Sequence, residues 1–205
     1  NVKLSANADD DSVRQVLTLT RDKYHAFASA IDVGDSERAT YWRITFAILS
    51  VHSPIEATFE AYKALRMWRA RFGRMPSVQK CNTLLRNAHG IDGSVTMYCY
   101  QKSTYLREFD DAWRADSTRF TRNGDSEIEW RDRLQKNVKG LGLAKASFAV
   151  CLSNPATSDV CCIDTHMFQL FAGSVPKSTI GRKVYLAIEA KIRAFGEEFG
   201  LSTFA

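Results

Sequence analysis

Asp164 is the residue whose type and surroundings best suit chemistry. It stands in Cys162-Ile163-Asp164-Thr165-His166, some twenty residues after Val138-Lys139-Gly140-Leu141-Gly142-Leu143-Ala144-Lys145-Ala146. A carboxylate followed by Thr-His-Met-Phe can simply cap a helix, and that role needs no catalysis. The positive end of a helix also favours the charged carboxylate, the form that stabilises a positive charge developing on a substrate. One residue can serve both roles. The two glycines read as a tight hairpin between helices, with both permitting backbone conformations closed to other residues. The second helix then begins with amides that have no intrahelical acceptor, which suits a phosphate oxygen, and Lys139 and Lys145 flank that position. Phosphate gripped by backbone is recognised without reading sequence, as a protein scanning DNA requires. A lone Gly-x-Gly also fits a plain linker between two helices. Lys145 stands where the last glycine of a dinucleotide loop would be, and no Gly-Lys-Ser/Thr ending is present, so neither nucleotide loop fits.

Other candidates are weaker. His52, between Val51 and Ser53-Pro54, could line a pocket, probe a base left unpaired, or be structural. Trp42, Tyr98 and Phe168 are further candidates for the pocket. His166 is placed to orient the Asp164 turn, and Cys161-Cys162 read as small core residues. Neither a zinc-ligand cluster nor the His-x-Glu and Pro-Cys-x-x-Cys patterns of zinc deaminases occur.

These residues must be positioned by helices. Ser53-Pro54-Ile55-Glu56 reads as Ser N-cap, Pro at the first helical position and Glu three after the cap. Ile55, Phe59, Tyr62, Leu65, Trp68 and Phe72 then follow at helical steps to an end near Gly73. Trp42, Phe46 and Leu49 mark an earlier helix over roughly 36–51. Ser77 caps a short helix with the stripe Val78, Cys81, Leu84, Leu85 and Ala88, ended by His89-Gly90. Ser94 caps another that holds Val95, Tyr98, Tyr105, Phe109 and Trp113. Asn123-Gly124-Asp125 is a turn. The hairpin helices run Ile128–Val138 and Leu143–Leu152, and Ile180, Val184, Ile188, Phe195 and Phe199 mark the last helix. Runs of strands, repeats and long linkers are missing, so the expected class is all-α.

The chain has 205 residues, 45% hydrophobic and 25% charged, enough for a sizeable core and one domain or a compact two-lobed unit. No apolar run reaches the ~18–20 residues of a spanning helix, and Asp9-Asp10-Asp11 interrupts any secretory signal. Five cysteines without a Cys-x-x-Cys pair point to a reducing, intracellular setting rather than a disulfide framework. The net charge is +5 and the pI near 9.0. Two runs concentrate it. Lys63, Arg66, Arg69, Arg71 and Arg74 occur with no acid between them, and Arg131, Arg133, Lys136, Lys139 and Lys145 occur against Asp132 alone. These are either solvated helix faces or a footprint for a polyanion.

Taken with Asp164, the hairpin resembles that of the helix-hairpin-helix DNA glycosylases, whose pattern L-P-G-V-G-x-K-T-A precedes V-D-T-H by about twenty residues. Val138 to Ala146 and Ile163 to His166 match in order and spacing. Ala146-Ser147-Phe148 are similar to the archaeal 8-oxoguanine branch, and Phe46-Ala47-Ile48-Leu49-Ser50 is similar to the superfamily's early helix. The resemblance implies two helical lobes with the active site between them, within one unit spanning 1–205. It implies a monomer that binds double-stranded DNA, flips out a modified or damaged base and hydrolyses its glycosidic bond. Asp164 would be catalytic; Lys139, Gly140, Leu141, Gly142, Leu143 and Lys145 would hold DNA; and a monovalent cation would sit on the carbonyls of Lys136, Val138 and Leu141. No other cofactor is implied. The four-cysteine tail that binds an iron–sulfur cluster in some members is missing, because no cysteine follows Cys162. His52 replaces the glutamine of the early helix. The lysine of the lyase members, two residues after the second glycine, is Ala144 here. Lys145 comes one residue later, turned by about 100°, and is expected to face outward as a phosphate contact. That absence suits a monofunctional glycosylase. It also suits a viral-type transferase that modifies phosphorylated 5-hydroxymethyluracil in DNA, and a non-catalytic DNA-binding module is the third reading. The base is not legible.

Overall fold

A computed structural model describes residues 31, 34–155, 157–172 and 180–199. Within them lie eight α-helices: α1 (Glu37–Leu49), α2 (Ile55–Phe72), α3 (Val78–Asn87), α4 (Cys99–Ala115), α5 (Glu127–Asn137), α6 (Leu143–Cys151), α7 (Thr165–Ala172) and α8 (Arg182–Phe199). The described residues contain no strand beyond one isolated bridge, His89 to Val95. The fold is all-α. No described helix is long and apolar enough to cross a membrane.

Helix α1 is buried from Ala39 to Leu49 and packs against α2, α4 and α6. Such all-round burial explains why its periodicity is faint: every face is a core face. The buried carboxylate inside this lobe is paired. Asp110 on α4, wholly buried, accepts the Tyr41 hydroxyl at 2.7 Å and the Met75 amide at 3.2 Å. A second core comprises Leu143, Cys161, Ile163, Tyr185, Ile188 and Ile192, with Ala144, Met167, Phe168 and Phe171 packed against it. Ala146, Ala149 and Val150 belong to the first core and Leu143 to the second, so α6 is shared between the lobes.

Local signals place most helix ends. Ser126 and Glu129 form a reciprocal capping box at the start of α5. Gly73, at φ +71°, ends α2 with its amide on Arg69 O. Two expected caps are corrected. Pro54, not Ser53, is the N-cap of α2; the Ser53 hydroxyl instead accepts the Met97 amide at 2.8 Å and Lys102 Nζ at 2.6 Å. Helix α4 begins at Cys99, not at Ser94, because residues 90–94 close a separate turn through Gly90 N–H to Ser94 O and Ser94 N–H to the Asp92 carboxylate.

Candidate active site

Asp164 ends a segment without regular secondary structure, 161–164, and caps α7. Its Oδ1 accepts the Met167 amide at 2.8 Å, and its carbonyl accepts the Phe168 amide at 2.8 Å. Oδ2 takes no hydrogen bond from the described residues, and the side chain is exposed. One oxygen thus serves the helix, and the other is not engaged by it.

The hairpin amides are equally available. Helix α6 starts at Leu143 behind the N-cap Gly142, which offers no side chain, and the first intrahelical acceptor is used by Ala146. The two glycines differ. Gly140 sits at φ +86°, and a Cβ there would lie 2.4 Å from the Tyr105 ring of α4. Gly142, at φ −74°, has an ordinary conformation, so the expectation that both need glycine freedom is corrected. A Cβ on Gly142 would meet nothing within 4 Å, which leaves open space over the α6 amides. Leu141 and Leu143 are buried and fix the hairpin from beneath, while Lys139 is exposed and pairs with Glu108 at 3.1 Å. Val138 O, one of three carbonyls expected around a cation, accepts the Leu141 amide at 3.3 Å. Among the described residues no three His, Cys, Asp or Glu side chains converge as a metal site.

Lys145 is half-buried, with its Nζ 5.2 Å over the Phe148 ring. Its charge reaches the Cys162 thiol, which burial pushes up to about 11 while Lys145 pulls it down and Asp164 pushes it further up. It also reaches Lys102, a residue that sequence reading passed over. Lys102 is buried on α4, with Nζ donating to Leu49 O at 2.5 Å and to Ser53 Oγ. Burial lowers this ammonium to about 8, with Cys99 opposing and Lys145 reinforcing the shift. A single lysine in a polar helix sequence carries no signal of this.

The Lys102–Ser53 contact holds two corners together. His52 (φ +50°) and Tyr98 (φ +54°) both adopt left-handed backbone conformations, both are exposed, and their rings meet edge-on at 5.7 Å. Trp42 is instead a core residue, edge-on to Tyr41 and Tyr62 with Arg66 over its ring. Phe168 is half-buried against the second core. The side chain of His166 lies outside the described residues. Much of the basic footprint is also consumed. Arg69 stacks 3.9 Å from the Tyr41 ring, Arg131 is wholly buried against Glu189 at 2.7 Å, and Arg133 binds Asp125 at 2.6 Å. Arg71, Arg74, Lys136 and Lys139 remain exposed.

Residues 20–201 match the family described as 8-oxoguanine DNA glycosylase. The chain is also similar to solved structures. The 8-oxoguanine DNA glycosylase of Methanocaldococcus jannaschii has 19% identity and a TM-score of 0.69, covering 94% of this chain and 88% of that one. The Thermotoga maritima 8-oxoguanine DNA glycosylase has 17% identity and a TM-score of 0.69, covering 95% and 91%. The M. jannaschii 8-oxoguanine glycosylase/lyase in complex with a 15mer DNA containing 8-oxoguanine has 21% identity and a TM-score of 0.62, covering 82% and 77%. No curated protein sequence matches.

Proposed function

The chain belongs to the 8-oxoguanine DNA glycosylase family, and from that premise we propose that it excises 8-oxoguanine from duplex DNA with Asp164 as its catalytic carboxylate. It is a DNA N-glycosylase that acts on a damaged base. The base must leave the stack, because the glycosidic bond is unreachable inside the duplex. The hairpin amides from Leu143 onward hold a phosphate of the damaged strand, and Lys139 exchanges Glu108 for a phosphate. His52 and Tyr98 present their rings to the opened duplex. As the bond from the sugar carbon to the base breaks, the electron pair leaves with the base and positive charge builds on the sugar. Asp164 Oδ2 stabilises that charge and orients a water, whose oxygen bonds to the sugar carbon while its proton passes to the carboxylate.

The observation that carries this reading is the division of Asp164: Oδ1 is engaged by α7, and Oδ2 takes no hydrogen bond from the described residues. Asp164→Asn keeps the cap and removes the charge. It is expected to cut base release by at least about a hundredfold with DNA affinity within about twofold. Free 8-oxoguanine quantified by mass spectrometry, beside fluorescence anisotropy, checks both. Turnover within a few-fold of wild type would overturn the assignment. An altered base still attached to DNA would instead favour group transfer.

A further inference from the structure

The segment that delivers Asp164 has no ladder partner among the described residues, yet its backbone is bonded. Cys161 N–H donates to Glu189 Oε1 at 2.9 Å, Cys161 O accepts the Tyr185 hydroxyl at 2.5 Å, and Ile163 N–H donates to the Tyr185 oxygen at 3.1 Å. Tyr185 and Glu189 lie one turn apart on α8 and are each 1% exposed. The same two side chains reach both helices of the hairpin. The Tyr185 oxygen lies 3.2 Å from the Ser147 hydroxyl on α6, and Glu189 takes Arg131 Nη1 of α5 at 2.7 and 2.8 Å. Two side chains therefore set the register of the 161–164 backbone against the helix whose N-terminal amides face the phosphate.

A glycosylase needs that register. A phosphate gripped at α6 fixes the sugar, and the carboxylate must then meet its anomeric carbon; a displacement of about 1 Å can cost on the order of a hundredfold in rate. We infer that Tyr185 and Glu189 are positioning residues, which hold the Asp164 carboxylate at a set distance from the phosphate-binding end of α6. The inference rests on Asp164 being the catalytic carboxylate. It adds that α8, remote in sequence from both halves of the site, joins them. Burial pushes the Tyr185 phenol above its ordinary range, which keeps the hydroxyl protonated and able to donate. Glu189 is less suited to a first test, since removing it strands the buried Arg131.

Tyr185→Phe removes the hydroxyl and keeps the ring in the second core. The single-turnover rate of 8-oxoguanine release at saturating enzyme is expected to fall about tenfold or more, with DNA affinity within about twofold. A side chain that only stabilises the fold would lower the amplitude, through a smaller folded fraction, and leave the rate constant of the folded enzyme intact. Ser147→Ala, which removes one Tyr185 partner, should give a smaller rate loss of the same kind, and decides the matter if Tyr185→Phe does not fold. Asp164→Asn is measured alongside. If it remains active, the catalytic reading fails and this inference with it. If Asp164→Asn is inactive while the foldable variants of Tyr185 and Ser147 release base at the wild-type rate, the positioning role alone is overturned.

Discussion

The two oxygens of Asp164 differ: Oδ1 accepts the Met167 amide, and Oδ2 takes no hydrogen bond from the described residues. Helix capping and catalysis are therefore not competing accounts of this residue. The neighbouring question is which amine, if any, reaches the sugar. Ala144 packs with the second core, as do Met167 and Phe168 of α7, whereas Lys145 lies along Phe148, a residue packed on the first core. About 100° of helix separates the two side chains. The side chain two residues after the second glycine is a methyl group, so the reaction should stop at an abasic site. Borohydride is expected to trap no enzyme–DNA adduct with the wild type, while Ala144→Lys should gain one. A wild-type adduct that disappears in Lys145→Ala would show that this ammonium does reach the anomeric carbon.

At the scale of elements, α4 acts as a splint. Tyr105 lies over Gly140, Glu108 holds Lys139, and Lys102 ties the end of α1 to the corner before α2. Leu49 O lies at the C-terminal end of α1, where the helix dipole favours a cation, which offsets part of the cost of burying Lys102. Its pKa near 8, below the 10.5 of a free lysine, sets a sign. Between about 8 and 10.5 the unfolded chain binds more protons at this site, so the contribution of Lys102 to stability rises with pH across that window. The Cys81 thiol, raised by burial to about 11, acts in the opposite direction at high pH, so total stability does not isolate the effect. The difference between wild type and Lys102→Met does. Urea unfolding at pH steps from 7 to 10 should show that difference moving in favour of the wild type, and a pH-independent difference would remove the buried ammonium from the account.

At the scale of the whole molecule, charge serves two purposes. Arg69 and Arg131 hold helices together, through the Tyr41 ring with Asp110 and through Glu189 respectively. Arg133 closes the turn before α5 by bonding the carbonyls of Thr121 and Arg122. Removing one partner of a buried pair such as Arg131–Glu189 typically costs about 3–5 kcal/mol, so these cations are committed to the fold. DNA binding should depend on salt, but less steeply than the ten basic residues of the two runs would give. A slope of about −3 to −5 in log affinity against log salt is expected, where ten phosphate contacts would give about −9. Anisotropy titrations between about 50 and 200 mM salt measure it. A flat response would contradict phosphate-directed binding, and a slope near the upper figure would mean that these guanidinium groups leave their partners.

The sequence by itself determined the helical class, the hairpin and the Asp164 cap. Each depends on contacts within a few residues: amphipathic spacing, a cap three residues from its target amide, a glycine at positive φ. The capping box of Ser126 and Glu129 and the end of α2 at Gly73 are local in the same sense. The tertiary structure alone decided the partners. Ser53 has the right neighbours for a cap, yet its hydroxyl is taken by Met97 and Lys102, 44 and 49 residues away. Gly142 looks as constrained as Gly140 until Tyr105 is seen over only one of them. Lys102, Tyr185 and Glu189 carry no local pattern, because their importance comes from what lies opposite them. Burial and charge compensation are set by segments far apart in the chain, whereas spacing along one strand of sequence reports only the backbone's own hydrogen bonds and the face that each helix turns inward.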